Sequence, residues 1–440
     1  MTHPSWLRFL PNGLKHHLIG RPNLLAVLLN SGWLLLDRMM RLALGLLIGA
    51  WVARYLGPAQ YGELVYVLAY ISIFQAIANL GLDGIVVREI ANNPISAHSI
   101  LGTSFALRLG IGFVCWIVAI GSMAWLNGPN DQSVLLTALA GSSLVFQAAD
   151  TIDLWFQSQS QSRSTVLAKL AAYLISSSVK VVLILNGAPL EAFAAVMLLE
   201  GLTAAMGMAL AYKCLPCHKR WQSTYSIASR LLFESWPFII AGLSVMVYMR
   251  IDQIMIKEML GPKELGIYAA VLPLATLWQF IPMMINTSLA PFVAQKKVEG
   301  EKAYWDALKK VFKAYALLGW VVCIPTLFLS NAAISILFGD EYKDGALVLN
   351  IYVFTNIAIN MGVAQSLWLL NERKPIVNLM KTLIGAAITV VGNWLLIPNF
   401  GLTGVAVVGV IAMLTSAILS NYFFSKEILM LQLKSLLFIK

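Results

Sequence analysis

Seven basic residues, Arg38, Arg41, Arg108, Lys169, Lys180, Arg250 and Lys381, fall inside long apolar runs of this chain. Arginine can grip phosphate oxygens with two parallel N–H donors, whereas lysine acts as a point charge. At about 2.5–3.5 kcal/mol per charge, seven lipid-facing cations at mid-membrane would cost roughly 18–25 kcal/mol. The deeper ones therefore belong in a wet cavity, and those near helix ends, Arg38 and Lys169 above all, have the alternative of snorkelling to the surface. Such an array would receive an anionic, phosphate-bearing cargo. Acidic residues accompany it. Asp37 and Arg41 stand four residues apart, the spacing of an ion pair on one helix face. Asp252 lies two residues from Arg250, roughly 200° around a regular helix, so those two do not pair directly. A carboxylate without a fixed partner can take up a proton in one conformation and release it in another. Asp37 and Asp252 are thus the candidates for coupling to H+ or Na+, with Asp37 equally suited to a structural pairing with Arg41.

The elements that must hold these residues follow from composition. Of 440 residues, 59% are hydrophobic and 12% are charged, against about 25% charged in an average soluble domain. A membrane helix needs about 20 apolar residues. Twelve apolar runs fall near residues 31–55, 64–83, 101–126, 133–156, 166–186, 190–212, 231–256, 265–292, 311–338, 346–370, 376–397 and 402–424. What remains is too short for a folded domain outside the bilayer, which excludes a water-soluble enzyme. The outer loops are also too short for a catalytic site of a polymerase or glycosyltransferase. The net charge of +10 has a topological cause rather than nucleic acid as a partner: 20 of the 31 basic residues flank spans on one side and 4 (Arg54, Lys257, Lys263, Lys343) on the other. Cytoplasmic loops carry such an excess, so both termini are expected in the cytoplasm. The first 30 residues lack an uninterrupted apolar core and read as an interfacial segment rather than a signal peptide. The tail from 425 to 440 reads as an amphipathic surface helix.

An internal repeat organises the spans. Leu56-Gly57-Pro58 recurs 204 residues later as Leu260-Gly261-Pro262, each time where one long apolar helix stops and another starts. Glycine supplies a left-handed cap there and proline cannot continue the preceding helix. A second correspondence, at offset 210, aligns Arg163 with Arg373. The expected organisation is an N-lobe at 31–212, a connecting loop at 213–230 and a C-lobe at 231–424, each of six helices. An even number of spans per half makes this a parallel repeat.

Asp37 through Arg41, Ala53-Arg-Tyr-Leu-Gly-Pro-Ala-Gln-Tyr-Gly62, Gly81-Leu82 followed by Arg88, and Arg250-Ile-Asp252 together resemble the polysaccharide biosynthesis (O-antigen repeat-unit) flippases of the multidrug/oligosaccharidyl-lipid/polysaccharide (MOP) exporter superfamily. The resemblance implies an all-α polytopic membrane fold of two six-helix lobes around a central cavity, like that of the multidrug and toxic compound extruders. It also implies a cargo, an oligosaccharide on undecaprenyl diphosphate, turned across a bacterial inner membrane by a transporter without cofactor. Other polysaccharide assembly proteins are then natural partners. The seven cations are the expected substrate contacts. The alternative is a drug or cation antiporter of the same fold. Cys214-Leu-Pro-Cys217-His218 matches a c-type haem attachment pattern, but it lies in a loop assigned to the cytoplasm with no surrounding domain, and is read as fortuitous.

Overall fold

The structure is a computed structural model that describes residues 22–214 and 220–439. The expected interfacial segment at 1–30 and the Cys217-His218 pair therefore lie largely or wholly outside the described residues. Within them every regular element is helical. Ten helices are long and apolar enough to cross a membrane. Two of these contain a break: Pro22–Ala78 at Gly57, where φ is +71°, and Pro375–Leu414 at Gly401, where φ is +53°. The first break leaves two membrane-length pieces, and the second does so because the helical path runs on through Thr415–Leu419 to Phe424, so twelve spanning segments result among the described residues, as the hydropathy runs require. At Gly57 and at its repeat partner Gly261, also left-handed with φ +95°, only glycine takes that backbone without strain, and the proline that follows opens the next helix.

Local signals account for the ends. Asp131 caps the helix Gln132–Gly141 by accepting from the Ser133 amide at 2.8 Å, and Ser425 caps the tail helix Lys426–Leu436. The side chains left at the surface are predominantly apolar, among them Val114, Trp125, Phe328 and Trp394, which in a chain of this composition is the lipid-facing surface.

The described residues form two compact units. One takes in the chain up to Ile48 together with Ile71–Met246; the other comprises Gly49–Tyr70 and the chain from Val247 on. These units depart from the expected lobes at 31–212 and 231–424, since the chain passes between them within helices and not in the 213–230 loop. The reason is local. Gly102 lets the backbone of Gln222 approach closely, the Thr224 amide donates to Thr103 Oγ1 at 3.1 Å, and Trp221 donates to the Tyr212 hydroxyl at 3.0 Å. The loop is thereby fastened to the first unit. In the second unit, residues 49–70 pack through glycine: a Cβ on Gly62 would lie 2.7 Å from the Pro262 carbonyl carbon, and one on Gly266 equally close to that of Pro58. Gly62 and Gly266 are themselves 204 residues apart, so the two copies of the repeat clasp each other reciprocally. Tyr342, whose hydroxyl donates to the Ala53 carbonyl at 2.7 Å, adds a further tie. Burial pushes that phenol well above its ordinary range, which keeps it a neutral donor.

Candidate functional site

In the first unit the second half of the fourth span is helical from Asp150, which brings Asp150 and Asp153 onto adjacent turns facing the fifth span, Arg163–Leu185. Lys169 Nζ sits 2.8 Å from a carboxylate oxygen of each. Arg41 lies beside this pair and has a polar partner near each of its three nitrogens. Its Nε meets Asp37 at 2.9 Å, one Nη donates to the Lys169 carbonyl at 2.9 Å, the other stands 3.7 Å from Glu200, and the guanidinium lies over the Tyr173 ring at 4.9 Å. The i, i+4 pairing of Asp37 with Arg41 is the one read from spacing. Glu200, from the sixth span, also accepts from Ser176 at 2.8 Å and acts electrostatically on Lys180. Three cations and four carboxylates thus share one membrane-embedded cluster, in which acid outnumbers base by one and the cations form no bare wall. Arg38 is exposed and makes no ion pair among the described residues.

Arg108, on the third span, stands apart from that cluster and reaches the end of the second. Only 1% exposed, it donates to Asn79 Oδ1 at 2.8 Å and to Asp83 Oδ1 at 2.6 Å, closing the turn where Leu80 and Gly81 are both left-handed. Its Nε and second Nη are buried without a partner. Replacing a buried ion pair by apolar side chains is often neutral, whereas removing one partner strands the other. The Asp83 side chain is 55% exposed, so water can solvate it, but the Arg108 guanidinium has no such recourse. Asp83→Ala is therefore expected to cost about 3 kcal/mol and Arg108→Met under about 1 kcal/mol. Thermal unfolding of the two purified variants followed by tryptophan fluorescence checks the asymmetry; equal losses would contradict it.

The second unit holds the remaining residues in two places. Asp252 accepts from the Tyr268 hydroxyl at 2.5 Å and from the Gln253 amide at 2.8 Å. It borders an open-sided cavity of about 150 Å³ that Tyr248, Tyr352, Thr276 and Asn393 also line. Arg250 turns away and donates to Gln253 at 3.3 Å, as the 200° offset requires. Lys381, 5% exposed, meets no carboxylate among the described residues. Its ammonium donates to Gln365 Oε1, to Asn421 Oδ1 at 3.1 Å and to the Ala417 carbonyl at 3.2 Å. Gln432 of the tail helix completes this cage by accepting from Asn421 at 2.8 Å. The carbonyl of Ala417 is within the π-helical segment Thr415–Leu419, where widened backbone geometry frees an acceptor.

The seven cations accordingly do not share one place: Arg41 and Lys169 come together with Lys180 nearby, while Arg108, Arg250 and Lys381 each have their own surroundings. Sequence reasoning missed Glu200 as a partner of Arg41, Asp150 and Asp153 as partners of Lys169, and the Gln365–Asn421–Gln432 cage. The i, i+3 spacing of Asp150 and Asp153 in an otherwise apolar run was a usable signal for a cation opposite; the amide cage offered none. No group of three metal-ligating side chains occurs among the described residues.

Comparison with known proteins bears on what such a fold does. Residues 27–297, more than half of the chain, match the sequence profile of the polysaccharide biosynthesis protein family, and residues 237–395 match that of the MatE family. The capsular polysaccharide biosynthesis protein CapF of Staphylococcus aureus is 27% identical over 183 residues, which is 40% of this chain and 45% of that protein. This chain thus matches about half the length of that relative. Among solved structures, the lipid II flippase MurJ in an inward closed conformation superposes with a TM-score of 0.70 at 13% identity, covering 93% of this chain and 91% of MurJ. An inward-facing multidrug resistance MATE family transporter of the MOP superfamily gives 0.65 at 16% identity, covering 90% and 96%. At these identities the structural likeness establishes the fold, and the match to the family profile establishes the kinship. The chain has an all-α polytopic membrane fold, and it belongs to the polysaccharide biosynthesis protein family of the MOP superfamily.

Proposed function

We propose that this transporter flips oligosaccharide repeat units linked to undecaprenyl diphosphate across the bacterial inner membrane, by alternating access, for O-antigen or a related surface polysaccharide. The observation that carries the reading is the Arg41–Lys169 cluster in the membrane-embedded part of a chain from a polysaccharide family. A diphosphate arriving there takes the place of Asp37 or Glu200 as counter-ion of Arg41, and the displaced carboxylate takes up a proton so that no charge is left bare. Arg38, Arg108, Lys180, Arg250 and Lys381 are assigned as further, weaker contacts along the route. The Asp252 cavity, about 150 Å³ and lined by a carboxylate, tyrosine hydroxyls and an amide, has room and polar partners for ordered water. It suits H+ or Na+ coupling, with Asp37 the second candidate. Both termini are assigned to the cytoplasm, where other polysaccharide assembly proteins deliver the cargo.

The alternative, a drug or cation antiporter, finds support in the MatE match over the later spans and in the aromatic, acidic surroundings of Asp252. Complementation separates the two. Strains that lack their own flippase accumulate lipid-linked repeat unit, and expression of this chain in the strain with a fitting repeat unit is expected to relieve that accumulation and restore surface polysaccharide. Failure across a panel of repeat units, together with raised resistance to cationic drugs, would establish the antiporter instead.

A further inference from the structure

The ninth span, Glu301–Leu337, has 37 residues. At 1.5 Å per residue it measures about 55 Å, whereas the hydrocarbon core is about 30 Å thick, so its first turns reach the headgroups and beyond. One face of those turns is buried through Tyr304, Leu308, Phe312 and Tyr315. On the opposite face of the span Leu317, Val321, Ile324 and Phe328 are each at least half exposed. These positions recur at intervals of four, three and four and form one lipid-facing stripe. Followed toward the helix start at 100° per residue, the same line passes through Lys313 and Lys310, with Lys309 alongside. The stripe thus changes from apolar to basic where the helix leaves the membrane. None of Lys302, Lys309, Lys310 and Lys313 makes an ion pair among the described residues, although the neighbouring Lys296 and Lys297 are held by Glu299 and Glu372. Asp306 is the acidic residue on the line.

From this continuity we infer that the ninth span carries a site for an anionic phospholipid. Lys309, Lys310 and Lys313 take the headgroup phosphate, and the acyl chains lie along Leu317, Val321 and Ile324. Lysines that follow a span directly attract anionic lipid with a strength of roughly five-fold in affinity each. Three together give on the order of a hundredfold preference over a zwitterionic lipid of the same chains. The inference needs only that the chain spans a membrane, and it holds whatever the cargo.

Native mass spectrometry of the purified full chain, titrated with phosphatidylglycerol or phosphatidylcholine, tests it. Wild type is expected to retain phosphatidylglycerol selectively, and K309Q/K310Q/K313Q to lose most of that preference, whereas K309R/K310R/K313R keeps it. K343Q/K374Q/K434Q removes the same charge elsewhere and is expected to bind as wild type does. Equal retention of both lipids by wild type, or equal loss in both glutamine triples, would overturn the site in favour of diffuse surface charge.

Discussion

Substituting alanine for Gly62 or Gly266 is expected to destabilise the protein by about 3 kcal/mol or more, the upper end of what overpacking a core costs, because the atoms met are immobile. A new methyl group at Gly62 meets the Pro262 carbonyl and the Gly266 amide nitrogen, and one at Gly266 meets the Pro58 carbonyl. These obstacles are backbone atoms, so no side-chain rotation relieves them. Small residues allow this kind of approach between membrane helices. Gly110→Ala is the matched control, because nothing lies within 4 Å of a Cβ there, and helix propensity favours alanine by roughly 1 kcal/mol. Size-exclusion profiles after a temperature series are expected to show early loss of the monodisperse peak for Gly62→Ala and Gly266→Ala, and none for Gly110→Ala. Wild-type profiles for both clasp variants would contradict the close packing.

Arg41→Ala is expected to reduce surface polysaccharide at least tenfold in a complemented strain while leaving the protein in the membrane. A hydrogen bond to a charged group contributes about 1.5–3 kcal/mol, which corresponds to roughly ten- to hundredfold in binding of a phosphate. Arg41→Lys keeps the charge but cannot span Asp37, the Lys169 carbonyl and Glu200 at once, so it is expected to fall between wild type and alanine. Quantifying both cell-surface polysaccharide and lipid-linked intermediate in each strain separates lost transport from lost protein. Normal export from Arg41→Ala would remove this cluster from the transport path.

Much of the fold is legible in the sequence because the bilayer leaves few options: uninterrupted apolar runs, punctuated by Gly-Pro, state where helices begin and end. The Asp37–Arg41 pair is legible for a similar reason, since helix periodicity fixes which residues meet four positions apart. Arg41 and Lys169, by contrast, are 128 residues apart, and Lys381 and Asn421 are 40 apart; no local periodicity encodes such meetings. The unit boundaries are hidden for the same reason. Composition changes at the 213–230 loop, yet packing assigns residues by what they touch. Likewise an excess of cations announces an anionic cargo only until their carboxylate partners are placed.

The clasp also sets a timetable. Residues 49–70 leave the ribosome early, whereas Pro262 and Gly266 follow about 200 residues later and Tyr342 some 280 later. At roughly 5–20 residues per second, the Gly62 helix waits on the order of 10–60 s for its partners. During that interval a backbone surface shaped for another helix faces lipid or the insertion machinery, making residues 49–70 the segment whose correct placement depends most on how fast the rest of the chain is made.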